Sequence, residues 1–440
     1  MQKEVNRIAS LVFSDSDNLD HIDLESTEMY IRTSMHRVGS IMLEKLLNAD
    51  GGDYRGNSIP CDNGRMYEFM GYRDKELLTV LGEVKIKRAY YYDRQCNVGF
   101  CPKDRSLDIE GTSFSAGVMR MVGRVGAHRA FGLGHEDIKE LAGIDVNAKE
   151  VERISEQLGT EAEGFFKKEA EVSLSEKVIP LMKPIPKMYV CRDGTGVPVV
   201  KAETVGREGK IGEQTKTRGA KLGCVFTQTS VDKKGNPVRD EDSTTYVGRI
   251  ENAEEFGPKI YAEARRQGLQ RAQHVSVIGD GAPWIWNIAD EHFYGAPQIV
   301  DLFHARQHYW TVARELFINE KKMIEWTENC RNELNDGNVE AVITAIKKLK
   351  PSTEHKRKLC EKETNFLEKN KERMRYAEFK KQGLFVGSGV LEAGCKTVIG
   401  QRLKQSGMHW SVKGANSIIA LRCCLLSNRW EDLWEYRACA

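Results

Sequence analysis

Apolar positions along the chain change their period several times, and each change marks a structural boundary. Ile31, Met35, Val38, Ile41, Met42 and Leu46 recur at helical spacing, and the run Ala49-Asp50-Gly51-Gly52 ends that helix. A β-rich piece follows. Leu77-Leu78-Thr79-Val80, a turn at Gly82 and the stretch from Val84 to Tyr92 alternate or cluster strand formers as the two arms of a hairpin do. From Ser113 to about Gly159 the pattern is helical again. Within it, residues 134–154 read as helix, glycine-containing turn and helix, a helix-turn-helix candidate. A helical pair inside a bundle gives the same pattern, and Glu150 and Glu152 would face phosphates badly.

Residues 174–186, with Pro180, Pro184 and Pro186, read as a linker. Beyond it strands and helices alternate. Strands are expected at 187–191, 221–229, 244–247, 274–278 and 298–302, and helices at 253–267, 282–291 and from 304 onward. Three strands, then helix, strand, helix, strand, helix, make an α/β sheet with an antiparallel beginning and a βαβ continuation, the order of the ribonuclease H fold. The expected organisation is 1–110 as an N-terminal helix and hairpin, 111–182 as a helical region with linker, and 183–440 as the α/β domain with a helical insertion at about 315–385.

Composition changes this picture only locally. The 440 residues carry 66 basic and 64 acidic side chains, a net +2, so overall charge announces no nucleic-acid partner. Between Ile343 and Gln382, however, thirteen lysines and arginines face six glutamates, a local excess of the kind phosphate binding needs, although solvated helix faces carry such runs too. The start of the chain has no basic stretch leading into an apolar core, and no stretch approaches the uninterrupted apolar length of a membrane span. The eleven cysteines are scattered, with Cys423 and Cys424 adjacent. A cytoplasmic protein without membrane contact, its thiols serving as small core residues, is expected.

Two strands deliver an aspartate into glycine-rich surroundings. The first ends in Val190-Cys191-Arg192-Asp193-Gly194-Thr195-Gly196, the second in Val277-Ile278-Gly279-Asp280-Gly281-Ala282-Pro283, where Pro283 suits the first turn of a helix. Either aspartate alone reads as a turn cap. A third carboxylate, Glu392, stands early in a late helix whose N-cap is Ser388 and whose apolar face is Leu391, Cys395, Val398, Ile399 and Leu403. Glu392 would otherwise be a surface residue pairing with Lys396 four residues on. Three carboxylates suit two Mg2+ or Mn2+ ions, which need oxygen ligands and together activate the attacking oxygen and stabilise the leaving one in phosphoryl transfer. Asp301 and His304 form a D-x-x-H pair in which Asp301 orients His304 toward a phosphate. His304 and His308, one turn apart, lack the third ligand a zinc site needs. Cys61 and Cys96 flank the hairpin as in a zinc ribbon, but the partner positions are Gly64 and Asp93, so no structural zinc is expected even with Cys101 nearby.

The quoted stretches, with Ile299-Val300-Asp301-Leu302-Phe303-His304-Ala305-Arg306 and the run from Gly387 through Lys396 to Trp410, resemble bacterial insertion-sequence transposases of the ISKra group, a DDE family. The likeness runs from about residue 55 to the C-terminus. It implies a ribonuclease H-like catalytic domain interrupted by a helical insertion and preceded by a zinc-ribbon-like piece, here degenerate. It also implies Asp193, Asp280 and Glu392 as the metal-binding triad, Asp301 and His304 beside it, and strand cleavage and transfer at the terminal inverted repeats of an insertion sequence. DNA contacts are assigned to Lys149 and Arg153, to Lys356, Arg357 and Lys358, and to Lys396, Arg402 and Lys404. Partners are then terminal-repeat and target DNA and further copies of the chain, in a nucleoid-associated setting. A transposase-derived DNA-binding protein without catalysis, or a ribonuclease H-like nuclease that only hydrolyses, are the alternatives.

Overall fold

A computed structural model describes residues 6, 7, 10, 23–60, 65–175, 183–207, 215–387 and 389–439. The chain divides into two compact units, Met1–Ser155 and Glu156–Ala440. The division falls inside a helix. Residues 176–182 of the expected linker, the proposed N-cap Ser388 and the ribbon positions Cys61 and Gly64 lie outside the described residues.

In the first unit, α1 (Leu24–Leu47) starts at Asp23, whose side chain accepts from the Ser26 amide. Strands β1 (Ser58–Pro60), β2 (Met66–Thr79), β3 (Gly82–Asp93) and β4 (Val98–Phe100) form an antiparallel sheet in chain order. The hairpin turns at Gly82, whose φ of 112° requires glycine. Leu77, Val84, Ile86 and Ile109 make its core. β2 begins eleven residues before Leu77, because Tyr67 and Phe69 pack on Phe100 and Tyr91 while Glu68 between them faces water. Asp93, at a ribbon partner position, closes a turn by accepting from the Gln95 and Cys96 amides at 2.8 and 3.3 Å.

A short helix α2 (Pro102–Ser106) leads to α3 (Ala116–His128) and α4 (Phe131–Asp137), which continues as a π-turn over Ile138–Ala142. Gly143 then ends the helix in the left-handed conformation, and α5 (Ala148–Ser175) follows. The expected helix, glycine turn and helix are therefore present. Lys149 is exposed, and Arg153 is paired with Glu150 at 2.7 Å.

The second unit is built on β5 (Ile185–Pro198), β6 (Thr217–Gln228), β9 (Thr245–Arg249), β10 (Ala272–Gly279) and β11 (Gln298–Val300), with a small ribbon of β7 (Ser230–Val231) and β8 (Pro237–Val238). The sheet order is β11-β10-β5-β6-β9; β6 and β9 run antiparallel to their neighbours, and β10 and β11 are parallel to β5. Helices α6 (Ala253–Arg266) and α7 (Pro283–His292) cover one face, where a Cβ on Gly223 or Gly279 would lie 2.7 or 2.8 Å from Ile260 or Ile285. This is a mixed α/β unit, and β-strand alternation sends Met188, Val190 and Arg192 to that face and Tyr189, Cys191 and Asp193 to the other.

From β11 the chain enters α8 (Leu302–Leu316), then α9 (Glu320–Asn335), α10 (Val339–Lys347), α11 (Glu354–Lys369) and α12 (Tyr376–Lys381). Many cations of this segment pair internally: Lys347 with Glu368 at 2.6 Å, Arg375 with Glu340 and Glu372 at 2.7 and 2.9 Å, and Arg357 and Lys358 with Glu354. The chain returns to the sheet as α13 (Gly389–Gly394), a π-turn over Cys395–Gly400 and α14 (Gln401–Leu403), followed by α15 (Val412–Leu426) and α16 (Trp430–Cys439). A Cβ on Gly159 of α5 would sit 2.1 Å from the Ser417 carbonyl oxygen, so these helices meet backbone to backbone. Among the described residues no helix is long and apolar enough to cross a membrane, and nine described cysteines are free thiols.

Candidate functional site

The pairing of β10 with β5 ends at Gly279 opposite Arg192, after which β5 continues along β6 alone. Asp193 and Asp280 are the next residues of each strand. They stand where two parallel strands part, at the C-terminal end of β10, the kind of place where open α/β sheets leave a crevice. Asp280 is fixed by its own turn: Oδ1 accepts from the Ala282 amide at 2.9 Å, Gly281 adopts a φ of 98°, and Pro283 opens α7. Phe366 of α11 packs over Gly281, where a Cβ would lie 2.5 Å from its ring.

Asp193 accepts from the Gly194 amide at 2.6 Å. Burial raises its carboxyl above the ordinary range; the Cys395 thiol bonded to it lowers it, the charge of Asp280 raises it further, and the Gly194 amide and His304 lower it. Two carboxylates therefore repel across a half-buried crevice with a histidine beside them. Burial, followed by the charge and hydrogen bond of Asp193, pushes the Cys395 thiol well up, so Cys395 is a neutral donor there. Lys404 completes this edge by donating to the Thr195 hydroxyl. No protein-family model and no curated protein matches the chain.

The Asp301 carboxylate caps α8, accepting from the backbone amide of His304 at 2.7 Å, and so fixes the start of the helix that carries His304. His304 meets His308 edge to face at 5.2 Å, and His308 stacks on Phe366 at 3.6 Å while bonding Glu363 through Nδ1.

Glu392 is not gathered with the aspartates. Its exposed carboxylate pairs with Lys396 at 2.8 Å, the surface arrangement that the spacing also allows. Among the described residues no three His, Cys, Asp or Glu side chains converge in a metal-holding group. Glu392 is nonetheless one helical turn before Cys395, and residues three apart share a helix face. Arg402, expected at DNA, is wholly buried, because three residues beyond Ile399 it shares that residue's face; its guanidinium lies 5.0 Å from the Trp410 ring centroid.

Three neighbours of the crevice escaped sequence reasoning. Cys395 reads as a core residue in the sequence. Lys221 pairs in register with Gly194 across β5 and β6, and Trp284 comes within 3.8 Å of where a Gly194 Cβ would stand. Strand register identifies Lys221, whereas Cys395 and Trp284 depend on how their helices are turned.

Arg192 is a different case. It is fully buried on the opposite face, its three guanidinium nitrogens have no hydrogen-bond partner, and burial brings its pKa down to about 9. Its contact is the Phe293 ring, at 5.3 Å.

Proposed function

We propose that the chain is a DNA transposase that cleaves and joins strands at the ends of an insertion sequence, using divalent cations. The observation that carries this reading is the meeting of Asp193 and Asp280 where neighbouring parallel strands part, each feeling the other's charge. Two half-buried carboxylates that repel one another fit a Mg2+ or Mn2+ ion, which would relieve the repulsion with oxygen ligands. When bound, such ions supply Lewis-acid activation of an oxygen nucleophile and charge stabilisation at phosphorus. The strand order, with β5 central and an antiparallel side of β6 and β9, supports reading this unit as ribonuclease H-like, with α9 to α12 as a helical insertion.

Within this reading Glu392 is the third carboxylate. It joins the aspartates by giving up the exposed pair with Lys396, a contact worth no more than about 1 kcal/mol. His304 faces the phosphate, Lys404 steadies the Asp193 strand end, and Lys149, Lys356 and Lys396 contact DNA. Its partners are terminal-repeat and target DNA and other copies of the chain.

The outward Glu392 also favours a second reading, a protein that binds element ends without cutting them. Strand cleavage of duplex DNA carrying the sequences that flank the gene, with Mg2+ or Mn2+ added, separates the two. Asp193→Asn, Asp280→Asn and Glu392→Gln should each abolish cleavage and leave end binding intact. The loss should exceed the 10–100-fold or so that outer partners of a metal site cost. An unimpaired variant removes that residue from the triad, and an inactive wild type favours the binding-only reading.

A further inference from the structure

The second unit carries a groove of about 1170 Å3, and no expected DNA contact lies in it. Lys167, Arg207, Arg218, Lys221, Arg249 and Lys259 line it, against Glu163, Glu251 and Glu255. In a chain of near-neutral net charge this is a concentrated positive surface.

The acids do not use up the cations. Glu163 and Glu251 pair with Arg249, and Glu251 also with Lys259. The Arg218 guanidinium donates to the Glu203 carbonyl at 3.2 Å, a contact that leaves its charge uncompensated, while the Lys221 amine donates to the Glu251 carbonyl and feels the charges of Glu251, Glu254 and Glu255. Lys167 and Arg207 are exposed and have no acidic partner among the described residues.

Strand register places two of these cations on β6. Arg218 lies opposite Val197 and Lys221 opposite Gly194, and alternation turns Lys221 to the α6–α7 face, away from the Asp193 side chain. Its amine is 5.5 Å from the Trp284 ring centroid, and that ring borders Gly194. Three uncompensated cations, Lys167, Arg207 and Arg218, in an open groove match a polyanionic strand better than a single small anion.

We propose that this groove binds the phosphate backbone of DNA. The proposal rests on the DNA-processing reading above and adds the surface that holds the substrate. The full chain should bind a short mixed-sequence DNA duplex with a steep salt dependence, followed by fluorescence anisotropy. The triple variant Lys167→Ala, Arg207→Ala, Arg218→Ala should lose at least about tenfold in affinity, and its plot of log affinity against log salt should flatten by roughly two to three units. The charge-keeping triple Lys167→Arg, Arg207→Lys, Arg218→Lys should retain both, which separates lost charge from lost folding.

An unchanged slope in the alanine variant overturns the proposal, as does an equal loss in the charge-keeping one. Displacement of the duplex by an acidic peptide at equal charge concentration assigns the groove to a protein partner and likewise overturns it. The two proposals fail separately. A wild type that binds DNA through the groove but never cuts flanking DNA keeps the groove and removes the transposase, and active cleavage with unchanged binding by the alanine variant does the reverse.

Discussion

The two aspartates and the glutamate come from regions built on different principles. Asp193 and Asp280 leave strands whose backbones are held on both sides by sheet hydrogen bonds, so their Cα positions follow from register. Glu392 leaves a six-residue helix, joined to a π-turn, whose exposed face answers to water and to Lys396. The sheet fixes its carboxylates close together although they repel. The helix leaves its own carboxylate free to choose the nearest cation. A site assembled from both kinds of support has two preset members and one that is recruited.

The widest gap between the two regions should appear at their glycines. Gly281→Ala places a side chain at a φ of 98° and 2.5 Å from Phe366, and should cost on the order of 1–3 kcal/mol in a thermal or urea melt. Gly389→Ala meets nothing within 4 Å and should be neutral or gain up to about 1 kcal/mol from helix propensity. Equal effects at the two positions would erase the distinction.

A smaller effect tests the repulsion. Folding holds the Asp193 carboxyl above its ordinary value, so the neutral form favours the fold at acid pH and that advantage is lost as pH rises through the folded value. Asp193→Asn stays neutral. In metal-free buffer it should melt a few degrees above wild type at neutral pH, with the margin vanishing below the ordinary value of 3.8. A margin constant with pH would point to packing instead. Added Mg2+ should stabilise wild type more than the variant.

The smallest effect belongs to the exposed pair. Lys396→Ala should shift stability by no more than about 0.5 kcal/mol. A larger loss would mean that the pair holds α13 in place and that Glu392 is less free than its exposure implies.

Much of this contrast was legible in the sequence, for physical reasons. Apolar strands bounded by glycines and prolines announced β6, β9, β10 and β11 within a few residues, because period-two burial and turn chemistry are local properties; β5 began where expected but ran seven residues past 191, through Asp193, by pairing with β6. Asp193 and Asp280 still followed from these strands, since each stands just past the last residue that β5 and β10 share. The rest depended on rotation about helix axes and on pairing across strands. Asp301 capping a backbone amide, Arg402 turned beneath Trp410 and Cys395 turned to Asp193 each hang on a helix phase that spacing alone leaves open. Lys221 entered the neighbourhood through the β5–β6 register, which no single strand encodes.

The π-turn at Cys395–Gly400 bears on that phase. Such a turn holds one residue more than a regular helix would, and each residue of an α-helix advances about 100° around the axis. Removing the surplus would keep Val398 and Leu403 in the core yet swing everything before the turn through that angle. Cys395 would leave Asp193, and Glu392 would point in a new direction. The aim of the third carboxylate is thus set by a single extra residue downstream of it, so a one-residue deletion there would alter the site more than most substitutions nearby.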